Sequence, residues 1–144
     1  MTETSSGATG QSEAIAELLL ELGRRVEAAA NASRLKPAQW SALRYLARAP
    51  ASARTNRAFA RYHRTTTGTV TLTLKALTGK GLLVRQPDPE DGRVVRFDVT
   101  DAGAAMLEND PVRGLVAAVE GLSADQRAQL ADILTVLLID DAAP

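Results

Sequence analysis

Apolar residues recur at steps of three and four through most of the chain, and the interruptions mark where it turns. Ile15, Leu18, Leu19, Leu22, Val26 and Ala29 trace one face of a helix over residues 12–33, with Glu and Arg between them. Pro37 stands where a first helical residue belongs. Trp40, Leu43, Leu46 and Ala47 then carry a second helix that stops before Pro50. Thr55 is placed to cap a short third helix through His63, with Ala58, Phe59 and Tyr62 on its apolar face.

The stretch TVTLTL at 69–74 alternates polar and apolar residues as a half-buried strand does. Length and boundaries decide against a strand. Val70, Leu74 and Leu77 share one helical face, Thr66 is an N-cap, and Gly81 is a C′ residue after Lys80, which predicts a helix over 66–80. The β-branched Thr and Val residues of its first two turns lower its intrinsic propensity. With Val70 at zero on the wheel, Gly68, Thr71, Leu72, Lys75 and Gly79 face outward.

Leu82 to Gln86 and Val94 to Val99 are short β-type runs separated by PDPEDGR, which predicts a hairpin. Thr100 caps a fifth helix from Asp101, expected to continue through Val119 with a bend near Asp110-Pro111. SADQ at 123–126 is a capping box opening a last helix with Leu130, Ile133, Leu134, Leu137 and Leu138. The expected fold is mostly α with a small β-hairpin wing. A short helix, a tight turn at His63 to Thr65, a second helix and a basic hairpin have the shape of a winged helix-turn-helix, whose second helix enters the DNA major groove.

Charge sharpens this picture. The formal net charge of zero divides into −3 over residues 1–33, +10 over 34–97 and −7 over 98–144. A basic block of this kind points to a polyanion partner such as nucleic acid, the bland alternative being that it pairs with the acidic flanks. At 144 residues the chain has the length of one domain. MTETSSGATGQS is polar and reads as a tail over 1–11 rather than a signal peptide. No apolar run is long enough to span a bilayer. The absence of cysteine excludes disulfides, thiolate zinc sites and thiol oxidation sensing, and fits a reducing cytoplasm.

Catalytic chemistry finds little support. His63 is the lone histidine and sits in a basic run. Asp88, Glu90 and Asp91 crowd one turn without the spacing of a calcium loop, and TGKG at 78–81 lacks the rest of a phosphate loop. No catalytic residue, metal site or cofactor is expected, and an enzyme reading lacks an acid, base and nucleophile constellation.

Three segments together resemble the MarR family of bacterial transcription factors: LKPAQWSALRYL at 35–46, FARYHRTTTGTVTLTLKALTGKGLLVRQPDPEDGR from 59, and VTDAG at 99–103. The resemblance implies a homodimer that binds double-stranded DNA at a pseudo-palindromic operator, acting as a repressor. Its winged module would lie at 36–100, with the wing at 82–99, and dimerisation helices at 12–33 and 104–140 within a single domain at 12–144. Carried over by position, the DNA-binding set is Arg64, Thr66, Thr67, Gly68, Thr69, Thr71, Leu72, Lys75, Arg85, Asp91 and Arg93. In that set Arg93 enters the minor groove and Asp91 holds its side chain. Phosphate neutralisation is expected from Arg54, Arg57, Arg61, Arg64, Lys75 and Lys80.

Many members bind a small aromatic or anionic effector, and by position Arg25, Leu35, Trp40, Arg44 and Tyr45 would line that pocket. Trp40 on an amphipathic helix has core as its plainer reading. The chain departs from the family at Arg64, Gly68 and Leu72, and at Lys36 before Pro37. The outward helix face therefore lacks an arginine for a bidentate guanine contact. The alternative function is a winged-helix protein-interaction module with weak or degenerate DNA binding.

Overall fold

The computed structural model describes residues 3–140. It divides into two units, Met1–Pro111 and Val112–Pro144. The first unit holds helices α1 (Glu3–Asn31), α2 (Pro37–Arg48), α3 (Asn56–Tyr62), α4 (Thr67–Gly79) and α5 (Asp101–Leu107), with an antiparallel hairpin of β1 (Leu83–Pro87) and β2 (Val95–Val99) between the last two. The second holds α6 (Arg113–Glu120) and α7 (Ala124–Asp140).

The helices begin where side chains can satisfy their free N–H groups. Thr55 accepts from Ala58 N, Thr66 from Thr69 N and Thr100 from Gly103 N. At α2 the cap residue Lys36 has no hydroxyl to offer; instead Gln39 reaches back to its N–H at 3.1 Å, one half of a capping box, and Pro37 needs no partner. Ser123 and Gln126 make both halves of the expected box before α7, at 3.2 and 2.9 Å.

The segment TVTLTL is helical, within α4. Its threonines that leave the buried face fold their hydroxyls onto the helix itself: Thr71 donates to Thr67 O at 2.7 Å and Thr73 to Thr69 O at 3.3 Å. Val70, Leu74 and Leu77 bury into a core with Trp40, Leu43, Leu46, Phe59, Leu82, Leu83 and Phe97. Burial of these large side chains, at about 1.5–3 kcal/mol each, outweighs the modest helix propensity of Thr and Val. The helix ends at Gly79, and Gly81, just past the cap residue Lys80, takes the left-handed φ of +73° that turns the chain away.

The wing is tied back to the helices at two places. Phe97 N donates to Arg54 O at 2.9 Å, so a residue from the loop after α2 extends the hairpin by one hydrogen-bonded position. Gly103 meets β2 and the chain at Leu82 so closely that a Cβ there would collide with Leu82 O and stand 2.8 Å from Val99 Cγ1. The glycine of VTDAG is thus required by packing.

Two boundaries differ from expectation. The first helix starts at Glu3 instead of 12, so most of the expected tail is helical, its first two residues lying outside the described ones. No proline interrupts this stretch, and Ser12 bonds back to Ala8 O at 3.0 Å. The expected bent fifth helix is two helices. Pro111 has no N–H and keeps Asp110 out of continued helix, and the Asp110 carboxylate is drawn to Arg44 at 2.8 Å.

Candidate nucleic-acid interface

The turn between α3 and α4 sets the angle at which α4 stands out from the surface. Arg64 occupies its centre with φ +50°, the left-handed region that disfavours a residue with a Cβ. Thr65 N then bonds Ala60 O at 3.0 Å and Thr66 caps α4. Arg64, Thr66, Thr67, Gly68 and Thr69 are all exposed on this turn and the first turn of α4. Thr71, Leu72 and Lys75 continue the exposed face, Leu72 with 70% of its surface in solvent.

Between α4, the start of α3 and the wing lies a groove of about 1010 Å³. Arg57 from α3, Lys75 from α4, Arg85 from β1 and Arg93 from the wing turn line it together. No ion pair among the described residues takes any of the four. Arg85 stands on the same hairpin face as its cross-strand partner Phe97, and Val95 and Phe97 line the groove beside it, while Arg93 comes from the turn before β2.

Other cations of the basic block are committed elsewhere. Arg54 donates to Ala49 O and to Asp98 Oδ1, both at 2.9 Å, holding the loop before α3 against β2. Lys80 donates to Arg34 O at 3.2 Å, closing the α1–α2 connection onto the end of α4. Both belong to the expected phosphate contacts; Arg54 has a carboxylate partner within the chain, and Lys80 stays exposed with its bond to a backbone carbonyl.

The wing turn is organised by Asp88. Its Oδ1 accepts from Glu90 N at 2.7 Å and Asp91 N at 3.1 Å, and its other oxygen pairs with Arg96. Those backbone N–H groups, Glu90 foremost, hold its carboxyl below the ordinary aspartate range, with Arg96 adding to the effect. Asp91 does not hold the Arg93 side chain as the resemblance implied. Its carboxylate takes the Arg93 backbone N–H at 3.0 Å, shaping the turn that projects Arg93. Asp88 is the residue the expected set lacks, and the PDPED run carried its signal, since an Asx side chain that bonds N–H groups two and three residues on is turn chemistry.

Asn56 was also missed. From the first turn of α3 its amide donates to Thr71 Oγ1 at 2.6 Å and to Thr67 O at 3.3 Å, joining the two helices at the groove. Nothing in the local sequence pattern distinguishes this asparagine, because its partners are eleven and fifteen residues away.

The expected effector set is not brought together. Arg25 is exposed and pairs with Glu21 at 2.8 Å, and Leu35 is core. Trp40 is 1% exposed and donates its indole N–H to Ser33 Oγ at 2.7 Å, so the core reading prevails, although its edge lines a crevice of about 530 Å³ with Arg34 and Met106. Arg44 and Tyr45 line a separate crevice of about 250 Å³ with Ser41, Arg48 and Tyr62. There Arg44 is paired with Asp110. Tyr45 donates to Ala53 O at 2.9 Å and lies between the rings of Phe59 and Tyr62. Burial pushes the Tyr45 phenol pKa up, with Tyr62 adding to the effect. His63 shares a hydrogen bond with Ser41 and meets Phe59 edge-on.

Among the described residues no group of His, Asp or Glu is arranged to hold a metal ion, and no helix is long and apolar enough to cross a membrane.

Comparison with known proteins agrees with this geometry. The MarR family model matches residues 35–94, from the start of α2 to the wing turn. No curated protein sequence matches the chain. Among solved structures, a probable transcriptional regulator from Pseudomonas aeruginosa is similar at 26% identity and TM-score 0.63, over 85% of this chain and 96% of that one. A MarR family protein from Bacillus stearothermophilus superposes with TM-score 0.68 over 99% of both chains, at 18% identity. A MepR mutant from S. aureus, bound to an oligodeoxyribonucleotide, superposes with TM-score 0.62 over 90% of this chain and 96% of that one, at 22% identity. The chain is thus similar to the MarR family model over residues 35–94, and it shares its fold with MarR-type structures.

Proposed function

We propose that the chain is a homodimeric regulator of transcription that binds double-stranded DNA and represses from a pseudo-palindromic operator. The observation that carries this reading is the groove beside α4, where Arg57, Lys75, Arg85 and Arg93 converge with no carboxylate partner among the described residues. A duplex laid along α4 brings phosphates to Arg57, Arg64, Lys75 and Arg85 while the wing turn carries Arg93 to the adjacent minor groove, where its charge favours a narrow, strongly negative groove. The MepR mutant bound to an oligodeoxyribonucleotide supports the same use of this fold.

The dimer is supported by apolar surface left open in one chain. Ile15, Leu18 and Leu22 on α1, and Ile133, Val136 and Leu137 on α7, are each at least 43% exposed. Runs of this kind mark contact surfaces, and a second copy supplies the matching face. An aromatic or anionic effector would find its chemistry in the smaller crevice, where Arg48 offers charge and Tyr45 and Tyr62 offer rings.

The exposure of Leu72 favours one second reading, a protein-docking helix in the same winged module. Equilibrium binding to the chain's own upstream duplex at two salt concentrations separates the two. The DNA reading expects tight binding at low salt that weakens steeply with added salt and prefers this duplex over a scrambled one, whereas a docking module expects at most weak binding without that preference.

A further inference from the structure

The outward face of α4 has no arginine, and the hydroxyls of Thr69, Thr71 and Thr73 are already engaged. Thr71 donates to Thr67 O at 2.7 Å and accepts from Asn56 Nδ2 at 2.6 Å. Thr69 shares a bond with Thr66 Oγ1 at 3.0 Å, and Thr73 donates to Thr69 O at 3.3 Å. A hydroxyl has one proton to give, and the Thr71 proton is spent on the helix. What remains is one acceptor lone pair and a methyl group, with no proton to offer a base.

Beside it stands Leu72, 70% exposed, and Gly68 one turn earlier opens space on the same side. A Cβ at Gly68 would meet only Thr66 Oγ1, at an ordinary 3.8 Å, so no packing within the chain requires the glycine. Yet it weakens the first turn of α4 relative to alanine. The result is an apolar strip bounded by Gly68, the Thr71 methyl and Leu72, fixed by the Asn56 bond from the neighbouring helix.

In the major groove, the one apolar feature that distinguishes a base pair is the thymine C5-methyl. We infer that Leu72 and Thr71 read DNA sequence by packing on thymine methyl groups, with Asn56 as the positioning residue that turns the Thr71 hydroxyl away from the bases. This rests on the DNA-binding reading and gives it a base preference. Lys75, one turn on, lies among the groove cations beside the wing and serves the backbone.

The test removes the methyl and nothing else. Duplexes are selected on the full-length protein from a random pool, and the selected duplex is remade with deoxyuridine in place of thymine. The expected result is a thymine-containing half-site whose affinity falls about fourfold for each contacted methyl lost, and about 16-fold for a symmetric pair. Leu72→Ala, at an exposed position that leaves the core untouched, should bind both duplexes with nearly equal affinity. Thr71→Ser, which keeps the hydroxyl bonds, should lose part of the discrimination.

Equal binding of thymine and deoxyuridine duplexes by the wild type would overturn the inference while leaving DNA binding intact. A full deoxyuridine penalty retained in Leu72→Ala would also overturn it, by assigning the effect to groove shape. Failure to bind any duplex at low salt would overturn the DNA-binding reading, and this inference with it.

Discussion

Arg64→Gly should stabilise the protein while weakening its grip on DNA. Arg64 sits at φ +50°, where the Cβ of an L-residue costs about 1–2 kcal/mol that glycine avoids. Glycine gives back about 0.4–1 kcal/mol because the unfolded chain gains freedom. Arg64 is exposed, and no ion pair among the described residues holds it, so little else is lost. The net expectation is a gain of about 0.5–1 kcal/mol. With a urea m-value of about 2 kcal/mol/M, the midpoint rises by about 0.25–0.5 M. Trp40, the single tryptophan, is buried and hydrogen-bonded, so its fluorescence reports the transition. Protein concentration is held constant because the proposed dimer would unfold by mass action. In the same variant one phosphate contact per protomer disappears, and the salt slope of DNA binding flattens by about 2 per dimer. A lower urea midpoint would refute the strain assigned to this turn, and an unchanged salt slope would remove Arg64 from the phosphate contacts.

Gly103→Ala forces a methyl against Leu82 O and Val99 Cγ1, and should lower stability by about 1–3 kcal/mol in the same urea assay; a neutral result would show that α5 can step away from the wing. Arg54→Ala should mainly reduce stability, through its lost bonds to Ala49 O and Asp98, whereas Arg57→Ala should leave the urea midpoint within about 0.5 kcal/mol and reduce the salt slope instead. Asp88 has a lowered folded pKa, so its contribution to the wing turn is complete above the unfolded value near 3.8 and is lost as pH falls through the folded value. NMR titration should place its midpoint below 3.8, with wing-turn amides shifting in step, and a midpoint at or above 3.8 would contradict the turn geometry.

Much of the fold was legible because its boundaries are local chemistry. Thr55, Thr66, Thr100 and Ser123 each cap a helix through a bond three residues away, and PDPEDGR is a turn whatever surrounds it. What periodicity could not supply was long-range pairing. Pro111 marked a bend, but the break into α5 and α6 also involves Arg44, 66 residues away, reaching Asp110. Arg54 and Lys80 count as basic residues in any sequence tally; only the fold shows Arg54 paired with Asp98 and Lys80 bonded to Arg34 O.

The same reasoning separates the two halves of the candidate site. The exposed face of α4 followed from helical geometry once Val70, Leu74 and Leu77 were assigned to the core, and the structure buries all three. The effector set rested on position along the chain alone, and its five residues divide between core, solvent and two different crevices. The Thr71 hydroxyl shows the limit most clearly. From sequence it is a polar group facing a duplex, and only the contacts with Thr67 O and Asn56 reveal that its proton and one lone pair are already engaged.

The central claim is that groove cations, with Arg64 of the adjoining turn, neutralise DNA phosphates, and the salt dependence of duplex binding tests it most directly. With Arg57, Arg64, Lys75 and Arg85 contributing from each protomer, about eight phosphates are neutralised per dimer, and log K should fall against log salt with a slope near −7. A slope near zero, or no binding to duplex DNA at 50 mM salt, would contradict the account.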